Sequence, residues 1–287
     1  MISAGTSVDR IRYAACAIGA ITHQPYEGVE RVLERIAESA EVRRRAWRYV
    51  PTPDGEQRLH ALLGVPWPCA VRAEFDDAWG AMIERLRRQG VELGRGAFGG
   101  WDDADPGFAR VTFCLTRHLR PDAIVETGVA RGLTSSLMLE GLDRNGRGRL
   151  WSIDLPPLID VDLAGQTACA VGGVQRRRWT LLRGSSRRLL RGLVGGLDGV
   201  GLFVHDSMHT TRNVRFELDT VWPALAGGGV AVVDDVERSR GFAAFTRAHP
   251  EAPAIVLGAD DHRAMFGCVM KPAAPHEGPG TDRSQGT

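Results

Sequence analysis

Apolar positions follow two different periods along the chain. In the first hundred or so residues they recur at helical spacing. Val29, Val32, Leu33, Ile36, Ala37 and Ala40 share one helical face, which predicts a helix over 29–49 with its apolar side on a core. Pro51 and Pro53 stop it. Asp54, with Gln57 three residues on, predicts a capping box opening a short helix over 56–63. Phe75, Trp79, Met82, Ile83 and Leu86 form another stripe, closed by Gly90. From Val111 onward short apolar runs alternate with helical stretches. Strands are predicted at 123–126, 149–153, 179–182, 200–204, 229–233, 254–257 and 264–270, with helices at 133–142, 166–171, 189–197, 211–225 and 242–249 between them.

Alternation of this kind predicts an α/β fold: a doubly wound, Rossmann-like, mostly parallel sheet of seven strands with helices on both faces. The gap between the last two strands is too short for a parallel crossover, so the last strand is expected to be antiparallel. Residues 1–106 are read as an N-terminal helical cap ending in a lid loop, 107–271 as the sheet domain, and the Pro- and Gly-rich 272–287 as a disordered tail. Polar residues gather at the carboxyl ends of the strands: Glu126, Asp154, Ser185, Asp206 and Asp234. Ligands bind outside those ends in such sheets.

Composition narrows the choice. Hydrophobic residues at 43% and charged residues at 25% fit a chain with a real core. Lys and Arg number 36 against 35 Asp and Glu, and a net charge of +1 gives no electrostatic reason to expect nucleic acid. The only lysine is Lys271, so a P-loop, which needs Gly-Lys-Ser/Thr, is excluded. Cys16, Cys69, Cys114, Cys169 and Cys268 are scattered and never spaced as CxxC, which argues against a disulfide scaffold or a structural zinc and for a reducing cytoplasm. The apolar run 13–21 is too short to span a membrane and lacks a cleavage site after it. Trp47, Trp67 and Trp79 are read as core anchors, and Arg43-Arg44-Arg45 as a solvated helix face.

The stretch Glu126-Thr127-Gly128-Val129-Ala130-Arg131-Gly132 joins a strand to a helix. Its glycines permit a tight turn and close approach of a ligand to backbone, and the helix dipole favours an anionic group there; an ordinary strand-to-helix turn has the same needs. GxGxxG is poorly met, because Ala130 takes the middle glycine and Leu133 the last. With Asp154, Phe203-Val204-His205-Asp206-Ser207-Met208-His209, Pro223 to Val230 and Asp234-Asp235, this stretch resembles the class I S-adenosylmethionine-dependent methyltransferases over roughly residues 110–270, and most of all the subgroup acting on small molecules, often as O-methyltransferases. Two positions depart from the family pattern: Ala130, and Ser185 where an acid often follows the third strand.

The resemblance implies S-adenosylmethionine as cofactor. Gly128 and Gly132 would lie under its methionine part and Glu126 would hold its ammonium, directly or through water. Asp154 would accept both ribose hydroxyls, or else is a turn residue before Pro156. Ser185 or Ser186 would meet the adenine edge, or else cap a helix. His205 is counted with the cofactor contacts, strand capping being its alternative. His209 is the preferred general base with Asp206 as its partner, helix capping being the alternative. Asp206, Asp234 and Asp235 would repel one another unless a cation such as Mg²⁺ sat between them. In the loop 94–106, Phe98 and Trp101 either cover a ligand or pack as a linker. The expected partner is a small-molecule acceptor, with no nucleic acid and no membrane; a homo-oligomer stays open. A catalytically silent binding protein and an NAD-dependent oxidoreductase are the rivals.

Overall fold

The computed structural model describes residues 25–43, 48–94, 96–98, 105–155, 161–260 and 264–273. Every predicted strand is present: β1 (Ala123–Thr127), β2 (Arg149–Asp154), β3 (Trp179–Arg183), β4 (Val200–His205), β5 (Leu225–Val233), β6 (Ala254–Gly258) and β7 (Met265–Met270). Successive strand residues face opposite sides of a sheet. Here both sides are covered, which is why the strands read as unbroken apolar runs. Ile124, Leu202, Val204, Val230 and Val232 pack into one core, while Val125, Phe203, Ala231 and Val233 pack into the other.

The first core is covered by α2 (Gly55–Leu63), α4 (Pro106–Leu119) and α5 (Leu133–Asn145), through Leu59, Leu115, Met138 and Leu142. The second is covered by α7 (Ser186–Gly195), α8 (Thr211–Val221) and α9 (Gly241–Ala248), through Leu190, Leu218 and Phe245. A third cluster joins α3 (Arg72–Arg88) to α4 and α5 through Phe75, Met82, Phe113 and Leu137. The strand order is β3-β2-β1-β4-β5-β7-β6, with β7 antiparallel to both its neighbours. Chain direction across the sheet reverses between β1 and β4, so a crevice opens at their carboxyl ends. No helix among the described residues is long and apolar enough to cross a membrane.

Several elements differ from expectation. The first helix, α1, runs Pro25–Arg43 and its apolar stripe points outward: Val29, Leu33 and Ile36 are exposed, Ile36 to 62%. Its acidic side is the docked one. Asp54 adopts a left-handed φ of 52° and makes no side-chain cap, so the capping box of α2 does not form. Residues 166–171 are turns rather than a helix, because Ala168 and Ala170 donate their amides to the carbonyls of Ala130 and Arg131. The short helix of this region, α6, is Val161–Gly165. Trp67 is exposed, whereas Trp79 packs with Phe75. Trp47, Trp101, Arg44, Arg45, the run 13–21 and the tail 274–287 lie outside the described residues.

Candidate active site

The turn after β1 fixes the floor of the crevice. Gly128 (φ 84°) donates its amide to the Ile153 carbonyl, and a Cβ built on it would lie 1.8 Å from the Asp206 carbonyl oxygen. Only glycine allows the two strand ends to approach this closely. Gly132 (φ 78°) opens α5 with Val171 and Ala168 against it. Both glycines therefore have a reason within the protein itself. Ala130, where the motif expects glycine, also has a left-handed φ of 48°. An alanine there is strained by about 1–2 kcal/mol.

Each strand end then supplies its polar group. Asp154 closes β2 and accepts the Val129 amide at 3.2 Å; burial raises its carboxyl above the usual range. Ser185 begins α7 without a capping bond, and its buried hydroxyl has no partner. Glu126 is 1% exposed and takes hydrogen bonds from Ser135 (2.7 Å) and Ser152 (2.5 Å). Burial pushes it up to about 7, against the pull of those hydroxyls.

The end of β4 carries a buried network that the sequence did not announce. Glu217, on the inner side of α8, contacts His205 Nδ1 at 2.6 Å and accepts from Thr127 (2.5 Å), Ser207 (2.9 Å) and Asn213 (2.9 Å). Burial works against its charge, but the His205 ring and the hydroxyls outweigh it and hold the carboxyl at about 2. Asn213 and Glu217 stand four residues apart on one face of α8, but nothing in the sequence points that face at His205. His205 is fully buried, and its Nε2 has no partner.

Beyond that network three groups converge. Ligand atoms of Asp206, His209 and Asp234 lie within 4.8 Å of one another. Burial first, then the charge of Asp235, raises the carboxyls of Asp206 and Asp234 well above their ordinary value. Burial first, then the neighbouring His205, lowers His209 well below its own. His209 Nδ1 is buried without a partner. Asp235 has a left-handed φ of 49° and points its carboxylate at Arg238 (2.6 Å), with His209 Nε2 3.7 Å away. Two carboxylates and an imidazole in this space can hold a hard divalent cation or relay a proton.

Two segments from the N-terminal region border the crevice. On α1, Arg31 donates to the Leu155 carbonyl just past β2 (2.9 Å), and Glu27 pairs with Arg188 (2.7 Å) just past β3. Glu34 bonds Thr210 and Arg212, while Glu41 accepts the Thr211 amide at 2.6 Å, so its carboxylate meets the positive end of α8. The second segment is tied down by Arg131. Its guanidinium donates to the carbonyls of Glu92 (2.5 Å) and Ala97 (2.8 Å) and lies 5.3 Å from the Phe98 ring centroid. Phe98 is accordingly buried.

Comparison with known proteins agrees with this geometry. No curated protein sequence matches the chain. Residues 125–236 match the family model described as a methyltransferase domain. A provisionally assigned O-methyltransferase from Klebsiella pneumoniae superposes with a TM-score of 0.52 at 17% identity, over 76% of this chain and 96% of that one. The O-methyltransferase from Bacillus cereus in complex with SAH gives 0.50 at 15% identity, over 68% and 91%. The matched segment runs from within β1 to just past β5, so it holds every strand end of the crevice; these residues are similar to a methyltransferase domain, and the seven-stranded sheet is the fold shared with those solved structures.

Proposed function

We propose that this domain transfers the methyl group of S-adenosylmethionine to a hydroxyl oxygen of a small molecule. The observation that carries the reading is the convergence of Asp206, His209 and Asp234 at the sheet's switch point, within the segment matched as a methyltransferase domain. The solved relatives named O-methyltransferases support the choice of oxygen.

The residues fit the cofactor. Ser185 offers a buried hydroxyl that lacks a partner, at the place where an adenine edge would lie. Asp154 ends β2 with a carboxylate suited to ribose hydroxyls. Glu126, buried and held by Ser135 and Ser152, would meet the ammonium directly or through water. When bound, S-adenosylmethionine supplies an electrophilic methyl group on a sulfonium.

What the chain must add is alignment and removal of one proton. Asp206 and Asp234 would hold Mg²⁺, and a hydroxyl on that cation ionises more easily. His209, neutral at physiological pH, would take the proton. Helices α1 to α3 with residues 92–94 and 96–98 would complete the acceptor pocket as a cap.

Calorimetry with S-adenosylmethionine, S-adenosylhomocysteine and NAD tests this directly. Both sulfur ligands should bind and NAD should not. Binding of neither sulfur ligand rejects the proposal. Binding without turnover on any hydroxyl acceptor leaves a silent binding protein.

A further inference from the structure

Four ligand-type side chains that are not among the crevice residues meet in a second cluster. Cys114 and His118 stand four residues apart on α4, one turn on the same face. His60 comes from the last turn of α2, and Cys69 from the turn that leads into α3. Cys69 Sγ lies 3.4 Å from Cys114 Sγ and 3.6 Å from His118 Nε2; Cys114 Sγ lies 3.5 Å from His60 Nε2. All four ligand atoms fall within 4.8 Å of one another. We propose that His60, Cys69, Cys114 and His118 form a structural Zn²⁺ site.

Three features carry the assignment. The first is size. Tetrahedral zinc with its usual bond lengths separates two sulfurs by about 3.8 Å and a sulfur from a nitrogen by about 3.5 Å, and the side chains already stand close to these edges. A disulfide is not formed, since that bond is about 2.05 Å long.

The second is orientation. His60 Nδ1 lies 2.7 Å from the Glu56 carbonyl oxygen. Donating there fixes the tautomer and leaves the Nε2 lone pair facing the sulfurs, the outer-shell bond that metal-bound histidines make.

The third is charge. His60 and Cys114 are buried, and with Cys69 they line a cavity of about 140 Å³ whose other walls are mostly apolar, among them Leu59, Phe75 and Phe113, with Glu56, Arg72 and Arg110 also on its lining. Two thiolates and two neutral imidazoles around Zn²⁺ have no net charge, so an apolar site tolerates them. Soft sulfur ligands exclude Mg²⁺ and Ca²⁺, and four protein ligands leave no open position for catalysis. The metal would displace one proton from each thiol and pin α2 and the following turn to α4.

The full chain, purified without a histidine tag or chelator, should contain about one zinc per chain. Cobalt substitution should give the visible bands of a tetrahedral site with a thiolate charge-transfer band, which the carboxylates of the crevice cannot produce. Cys69→Ser/Cys114→Ser should lose the zinc and that spectrum. If this variant does not fold, the cobalt titration of the native chain decides alone. Absence of zinc together with absence of the cobalt–thiolate spectrum overturns the proposal. So does a Cys69–Cys114 disulfide found by mass spectrometry, or a folded double variant that keeps its zinc. None of these outcomes depends on methyl transfer.

Discussion

His209 shows how environment sets the role of a side chain. Its ring is 8% exposed, stands edge-on to His205 at 5.5 Å and has an unpartnered Nδ1. Burial and the neighbouring histidine both disfavour its charged form, so the ring is a proton acceptor throughout the neutral range. On the proposed role as general base, His209→Gln should lower kcat by about 10²–10⁴-fold. Affinity for S-adenosylhomocysteine in calorimetry should not change. Unaltered turnover would assign the imidazole to packing. Glycine spacing was readable at this scale, yet its cause was not: the sequence cannot say that Gly128 makes room for the carbonyl of Asp206.

Among the elements, α1 departs most from its pattern. Its apolar stripe predicts a core-facing helix, but Glu27, Glu30, Glu34 and Glu41 are what it docks, on Arg187, Arg188, Arg212 and the start of α8. Periodicity locates a stripe; it does not know which arginines the fold will bring opposite the other face. Glu34→Gln should loosen the whole helix, because Glu34 bonds both Thr210 and Arg212. A loss of about 1–3 kcal/mol of local stability would speed amide exchange in 25–43 about 5- to 150-fold and leave β1 and β4 protected. Equal acceleration everywhere, or none, would contradict this docking. The strands were legible for the opposite reason: apolar runs such as 200–204 and 229–233 are buried on both faces, so nothing competes with their reading. At the site, acids at strand ends were legible from order alone. Glu217, and the meeting of His60 and Cys69 with Cys114 and His118, were not, because contacts across the fold leave no fixed spacing in the chain.

For the molecule as a whole, the buried acids set the response to pH. Glu126 is pushed up to about 7, and Asp206 and Asp234 are raised well above 3.8. Folding therefore takes up protons, and stability falls as pH rises through that range. Glu217, held at about 2, acts in the other direction and costs stability only as pH falls below 4.5. His209, lowered from 6.5, likewise weakens the fold only below that value. From pH 6.5 through about 7 the raised Glu126 thus dominates, and Asp206 and Asp234 act in the same direction. Without divalent cations the melting temperature should drop across that interval, and excess Mg²⁺ should reverse the part due to Asp206 and Asp234. A flat profile, or no response to Mg²⁺, would exclude a cation between them. The outer margin of the sheet has a consequence of a different kind. Thr52 donates its amide to the Val256 carbonyl (2.7 Å), and its hydroxyl accepts the Val256 amide (3.1 Å), so a stretch of chain from before the domain closes off strand β6. A protein trimmed to begin after that stretch would lose α1 from the border of the crevice and also bare a strand edge ready to zip onto its neighbours, and it would be lost to clumping before any chemistry could be assayed.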